Sequence, residues 1–424
     1  MASTTLVLDG LPRCILTNVL DLLELRDLCN FCLVSRGFAA RCRENAGFQK
    51  YFSTKTLKWT SIEQIQDFVH LTHENRMGCL IRNLRIVGVV GIPPATELQS
   101  LIMLLAQAFT NVRLNSTHTG LQSVTLLVQV HVEDGDGNSE LVSVEKVRDW
   151  KQVWHTAAQT FQIVSLALAE SALPVEMLDV FGTVDRCSLA CDQIGWVLDT
   201  LQMSRALGKL KSLSLSLSHH MVEEDSVGKH HTAAQNHTVN IAHLLELCQQ
   251  VEKLELHWYN LRQIKLDKAE IEERQFLTRV VQSTHFGQLR LCRLKGIYTD
   301  EITLLTFLQK TSQLCGLSME WVHLHTGKFG PIFDYLTTHA SHLNELDLNN
   351  LWESRLIYFY GPGTPQLPTS SASDGPNSLT RRGVECHRNI RYRFAKGQVL
   401  GSAQSANWWR RNTILYGPPD GALR

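Results

Sequence analysis

Apolar and polar positions along this chain follow two rhythms in succession. The first, over residues 11–38, is helical. Ile15, Leu16, Val19, Leu20 and Leu23 recur at one- and four-residue spacing, which stacks them along one face. Leu11 and Pro12 precede them, and Pro12 suits a first helical position, where its missing N–H costs nothing. Asp27 has the chemistry of an N-cap for a second helix. Leu28, Phe31, Cys32, Leu33, Val34 and Phe38 follow, more apolar groups than so short a segment buries internally. A partner or a second domain is expected to cover them.

The second rhythm runs from about residue 60 to residue 350: an apolar residue, two others, then apolar, any, apolar. Its fourth positions are Leu84, Val124, Leu178, Leu213, Leu254, Cys292, Leu317 and Leu346. The steps between them range from 25 (317 − 292) to 54 (178 − 124), periods that signal stacked repeats. Helical stripes lie between: Leu98, Leu101, Leu105 and Phe109; then Ile241, Leu244, Leu245 and Cys248; then Ile302, Leu305 and Leu308. A doubly wound α/β sheet would also alternate strand and helix, but strands buried on both faces read as nearly continuous apolar runs. Here the residue between each apolar pair is Arg85, Thr125, Asp179, Ser214, Glu255, Arg293, Ser318 or Asp347. All eight are polar, which predicts a sheet with one wet face.

Leu11-Pro12, Ile15-Leu16, Val19-Leu20, Asp27-Leu28 and Leu33-Val34-Ser35-Arg36-Gly37-Phe38 together resemble the F-box, a three-helix module of ubiquitin-ligase substrate receptors. Cys14 stands where that family usually has Glu, and Ser35 where it often has Cys; neither removes an apolar anchor. The resemblance implies docking of a Skp-family adaptor through Leu11, Pro12, Ile15, Leu16, Val19, Leu20, Leu28, Leu33, Val34 and Phe38, and of a cullin through that adaptor. The strand–helix series resembles an irregular leucine-rich repeat. The family's asparagine, five residues after the first strand leucine, is replaced here by Val89, Gln129, Thr183, Ser218, Tyr259, Ile297, Val322 and Leu351, so an asparagine ladder is not expected.

The expected fold is α/β: an N-terminal three-helix F-box over residues 1–50, then an irregular leucine-rich-repeat-like α/β solenoid over 51–352. A linker and C-terminal capping segment occupy 353–424. An F-box ahead of such repeats resembles receptors of the fungal type. The implied function is substrate recognition in a Skp–cullin–F-box E3 ubiquitin ligase, with an unidentified protein substrate on the concave face. The residues assigned to that face are Arg85, Thr125, Asp179, Phe181, Ser214, Glu255, His257, Arg293, Lys295, Ser318, Glu320 and Asp347. An F-box scaffold acting outside ubiquitin transfer is the alternative.

Composition narrows this picture. Lys plus Arg and Asp plus Glu both total 41, so no global charge points to nucleic acid. From residue 351 onward, ten Lys or Arg face four Asp or Glu, and Trp408 and Trp409 sit beside Arg410 and Arg411. This end reads as a cap for the last repeat rather than a nucleic-acid patch, which is the third reading. No apolar run approaches the roughly 20 residues that span a bilayer, and no signal-peptide pattern opens the chain. Eleven cysteines scattered through apolar segments fit free buried thiols, Cys29 and Cys32 included, in cytoplasm or nucleus.

Candidate chemistry is sparse. Asp134, Asp136, Asn138, Glu140 and Glu145 imitate an EF-hand loop, but Ser139 replaces its turn glycine. His219, His220, His230, His231, His237 and His243 cluster without a cysteine pair at zinc-ligand spacing. No nucleophile elbow, HExxH, P-loop or GxGxxG occurs, so neither an enzyme nor a cofactor or metal site is expected.

Overall fold

The computed structural model describes residues 12–58, 62–74, 76–90, 98–116, 120–133, 139–144, 150–184, 187–191, 194, 201–218, 237–259, 267–360 and 376–394. Four short helices come first: α1 (Arg13–Leu22), α2 (Leu25–Val34), α3 (Arg36–Glu44) and α4 (Ala46–Phe52). One residue, Ser53, then leads into β1 (Thr54–Lys58), the first strand of the main sheet. Strands and helices follow in turn: α5 (Ile62–Thr72), β2 (Asn83–Val90), α6 (Leu98–Asn115), β3 (Leu121–Glu133), β4 (Ser139–Ser143), α7 (Trp150–Ser171), β5 (Val175–Val180) and β6 (Leu189–Ala190). Next come α8 (Leu201–Leu207), β7 (Ser212–Ser218), α9 (His237–Leu247), β8 (Lys253–Tyr259), α10 (Asp267–Ser283), β9 (Leu291–Lys295) and β10 (Tyr298–Asp300). The chain continues through α11 (Glu301–Lys310), β11 (Gly316–Glu320), β12 (His323–Thr326), α12 (Gly330–Thr338), β13 (Glu345–Asn349), β14 (Ile357–Phe359), β15 (Ser378–Arg382) and β16 (Tyr392–Phe394).

Along the main sheet the strands β1-β2-β3-β5-β7-β8-β9-β11-β13-β15 follow strictly in chain order and are parallel up to β13; off this path β4 pairs antiparallel with β3 and β6 parallel with β7. A doubly wound sheet would reverse its order at a switch point; this one never does. Each helix from α5 to α12 packs against the next in the same sequence. The result is a row of strand–helix units, a solenoid-like arrangement in which each unit buries its apolar face on its neighbours.

The apolar rhythm becomes cross-strand register. Leu84 pairs with Val124, Val124 with Leu178, Leu178 with Leu213 and Leu213 with Leu254. Leu254 then pairs with Cys292, Cys292 with Leu317 and Leu317 with Leu346. All are buried in one continuous core. The stripe expected on α11 is shifted in phase: Ile302 is 76% exposed, and Leu304, Phe307 and Leu308 face the core instead.

The turns after the last strands replace the missing asparagine ladder with main chain. Gly296, Trp321 and Asn350 each follow a strand and hold φ of 66°, 55° and 50°. Their N–H groups donate to the carbonyls of Glu320, Asn349 and Asn377 at 2.9, 3.0 and 3.0 Å. That frees the next positions, Ile297, Val322 and Leu351, to be buried apolar residues.

The parallel series ends where β15 arrives antiparallel against β13 and β16 pairs antiparallel with β14. Residues 376–394 thus form a strap over the last unit. Cys386 and Ile390 are buried under it, and Arg381 donates to the carbonyls of Arg388 and Asn389. Glu353, almost fully buried, accepts from Phe329 N at 2.7 Å and from the Tyr392 hydroxyl at 2.8 Å. Burial, then the Glu353 carboxylate, push the Tyr392 hydroxyl's pKa upward. Trp408 and Trp409, expected in the cap, lie outside the described residues.

A Cβ on Gly296 would lie 2.3 Å from the Trp258 carbonyl oxygen, at a positive φ that L residues rarely adopt. Gly296→Ala is therefore expected to destabilise the protein by about 1–3 kcal/mol. Gly287→Ala, where a Cβ meets nothing within 4 Å, should leave the melting temperature nearly unchanged. Equal effects of the two substitutions in thermal melts would contradict this account of the turn.

Candidate functional site

Two surfaces come from the two rhythms. In the N-terminal module, Leu16, Leu20, Leu28, Phe38, Cys42 and Phe48 form a small core of their own. The Phe31 and Phe38 rings lie 4.3 Å apart across it. Met77 and Leu80, from the single-turn helix between α5 and β2, close its far side. Burial, reinforced by the neighbouring Cys32 thiol, pushes Cys42 up to about 12 and leaves it a neutral packing group.

Capping differs from the sequence expectation at two helices. Pro12 is the N-cap of α1 rather than its first residue, and its carbonyl accepts from Ile15 N and Leu16 N. Glu24 precedes α2, so Asp27 lies inside the first turn, where its charge complements the helix dipole without capping. Ser35 caps α3 by accepting from Phe38 N at 3.1 Å. Asn45, buried, caps α4 through Phe48 N at 2.8 Å and donates to Asp21 Oδ1 at 3.1 Å, tying α4 to α1.

The residues assigned to adaptor docking therefore divide. Leu16, Leu20, Leu28 and Phe38 are buried and cannot meet a partner in this arrangement; their part is to hold the helices. Pro12, Ile15, Val19, Leu33 and Val34 are exposed. Leu11 lies outside the described residues. Leu22, outside the set assigned from sequence, is 86% exposed and completes a stripe with Ile15 and Val19 at i, i+4 and i+7. Its signal was available in that spacing. Cys29, expected to be buried, is exposed on α2 one turn before Leu33. None of the eleven cysteines is in a disulfide.

The second surface is the polar face of the sheet. Arg85, Thr125, Asp179, Ser214, Glu255, Arg293, Ser318 and Asp347 pair in one cross-strand row, and none is buried. Thr56 and Thr380 extend it at either end. Glu255 stands between two cations, with Arg293 Nη1 and Lys295 Nζ each 3.4 Å from its carboxylate. Asp347 pairs with both terminal nitrogens of Arg382, at 3.2 and 3.1 Å. Lys295 and Glu320 are partly exposed in the next row.

Two residues assigned to this face do not belong to its open part. Phe181 turns into the left-handed region at φ 61° just past β5 and is fully buried in the core. His257 is 8% exposed, its ring 4.2 Å from that of Tyr259. Burial, with the Lys295 charge, pushes its pKa down to about 3, so it is neutral. Beside it, Ser216 Oγ donates to the Cys187 carbonyl at 2.8 Å, which places the segment after β5 over the end of β7.

No group of three or more His, Cys, Asp or Glu residues suited to a metal ion occurs among the described residues. Of the histidine cluster, His219, His220, His230 and His231 lie outside them. So do residues 134–138 and Glu145 of the EF-hand imitation, and the described segments flanking residues 134–138 are strands. No described helix is long and apolar enough to cross a membrane.

Residues 8–47 match the F-box domain family, so the N-terminal helices are an F-box module, followed here by repeating strand–helix units. Comparison with curated proteins found no match.

Asp179 has a pKa raised chiefly by burial, with Glu255 adding to the shift; the Gly182 N–H, 2.7 Å from Oδ1, opposes it. An acid whose folded pKa is raised contributes its full share of stability below the unfolded value, about 3.9, and loses it as pH rises through the folded value. Asp179→Asn keeps an acceptor for Gly182 and removes the charge. It should melt higher than the parent at neutral pH, with the gain shrinking toward about pH 3.5. Thermal melts that show no pH-dependent difference would contradict this.

Proposed function

We propose that this protein is the substrate-recognition subunit of a Skp–cullin–F-box E3 ubiquitin ligase. The observation that carries the reading is the F-box match over residues 8–47, on a module whose α1 and α2 expose Ile15, Val19, Leu22, Leu33 and Val34. Exposed apolar side chains concentrated on two successive helices of so small a module call for a cover. In this scheme the Skp-family adaptor covers them, the cullin is reached through the adaptor, and the polar face of the sheet holds a protein substrate.

The protein performs no bond chemistry in this role. It raises the effective concentration of the substrate beside the transfer enzyme and restricts its orientation. The junction between the two modules suits that role. Ser53 is the only residue between α4 and β1, and its carbonyl accepts from Arg82 N and Asn83 N at 2.8 Å each. The substrate face is thereby fixed relative to the docking helices rather than tethered to them.

Replacing Ile15 and Val19 together with Asp should weaken capture of the adaptor by at least about tenfold. Both are surface positions, so the thermal melt should stay close to that of the parent. Undiminished capture would refute the assigned face. Recovery of adaptor without cullin from the same pull-down would favour the scaffold reading instead.

A further inference from the structure

One part of the polar face carries an uneven charge. On this face the columns β8 and β9 carry three cations, Lys253, Arg293 and Lys295. One carboxylate of these two strands, Glu255, accompanies them. Within the same columns Leu291 is 42% exposed on this face, and Met177, 41% exposed, lies in the same cross-strand row beyond Ser212 and Lys253. Leu291 Cδ2 lies over Gly316, 2.7 Å from where a Cβ would stand, so the glycine gives this leucine a place to lie across the sheet.

Register fixes the spacing of these groups. Lys253 and Leu291 are direct cross-strand partners, and Glu255 and Arg293 are partners in the next row. Neighbouring strands stand about 4.8 Å apart, and residues two apart in a parallel strand about 6.6 Å. An exposed lysine and an exposed leucine therefore lie side by side, with Arg293 one row beyond. An extended chain turns every second side chain to the same face, about 6.6–6.8 Å apart, which matches the separation of Leu291 and Arg293 along β9.

We propose that the columns β7–β9 bind an acidic, leucine-anchored extended segment of a partner protein. One apolar side chain of the segment packs on Leu291; acidic side chains two residues away, on the same face of the segment, reach Arg293 along the strand and Lys253 across it. The assignment rests on the reading of the polar face as a substrate surface and supplies its chemical class. Glu255 lies lower, between Arg293 and Lys295, and its side chain is only 13% exposed. An incoming carboxylate thus meets the more exposed cations first.

The test is fluorescence anisotropy with the full chain alone, so its outcome is independent of whether the adaptor binds. The probes are labelled peptides of about twelve residues, each with one central Leu flanked by Glu, by Gln or by Lys. The Glu peptide should bind at least about tenfold more tightly than the other two, and more weakly as salt is raised. Lys253→Glu and Leu291→Ser, both at exposed positions, should each weaken it by about fivefold or more with unchanged melting temperature. Equal binding of the three peptides, absence of binding to all, or full binding by both variants would each overturn the proposal. So would a single-stranded RNA that binds the same face more tightly than the Glu peptide and loses affinity on Lys253→Glu.

Discussion

The parallel register of the sheet is the constraint on which the rest of this molecule depends. Eight apolar fourth positions, from Leu84 to Leu346, lie side by side because every strand pairs with the next without slipping. A shift of one residue on any strand would send its apolar side chains to the wet face and its polar ones into the core. The same register lines up the polar row on the opposite face, so the core and the candidate substrate surface are two sides of one pairing scheme.

That scheme begins directly after the N-terminal helices and is packed against them. With Ser53 alone between α4 and β1, and Met77 and Leu80 packed on the F-box core, the module and the first strand–helix units share apolar contacts. In the proposed role such continuity preserves the orientation of whatever the sheet binds, since orientation is lost when two modules are joined by a flexible chain. At the other end, β15 closes the sheet antiparallel, and the buried Glu353 fastens the strap through Phe329 and Tyr392. The solenoid is bounded by a helical module on one side and by its own returning chain on the other.

Periodicity made the eight strands that carry the fourth positions and the helices α6 and α9 legible. Alternation in the segments around Leu84, Leu213 or Leu254 placed them on a sheet with one wet face, and the stripes on α6 and α9 face the core as spaced. The Ile302–Leu305–Leu308 stripe misled because spacings of three drift around a helix, and Leu304 and Phe307 offered a competing face. Phe181 misled because alternation assumes that the strand continues, whereas the chain enters a left-handed turn just past Val180. Asp27 has the right chemistry for a cap, but the helix begins two residues earlier, at Leu25.

The order of apolar and polar residues by itself determined the F-box register, the phase of the eight strands from β2 to β13 that carry the fourth positions, and the polarity of the sheet's open face. Each of these follows from local spacing, which no distant contact alters. Tertiary structure alone decided which F-box apolar residues are spent on internal packing, because Leu16 and Ile15 are adjacent and equally apolar in sequence and differ only in what lies across from them. It also decided that Leu291 lies beside Lys253 and over Gly316. Cross-strand neighbours are set by the way separate units stack, and nothing in the spacing within one unit encodes the residue that its neighbour brings alongside.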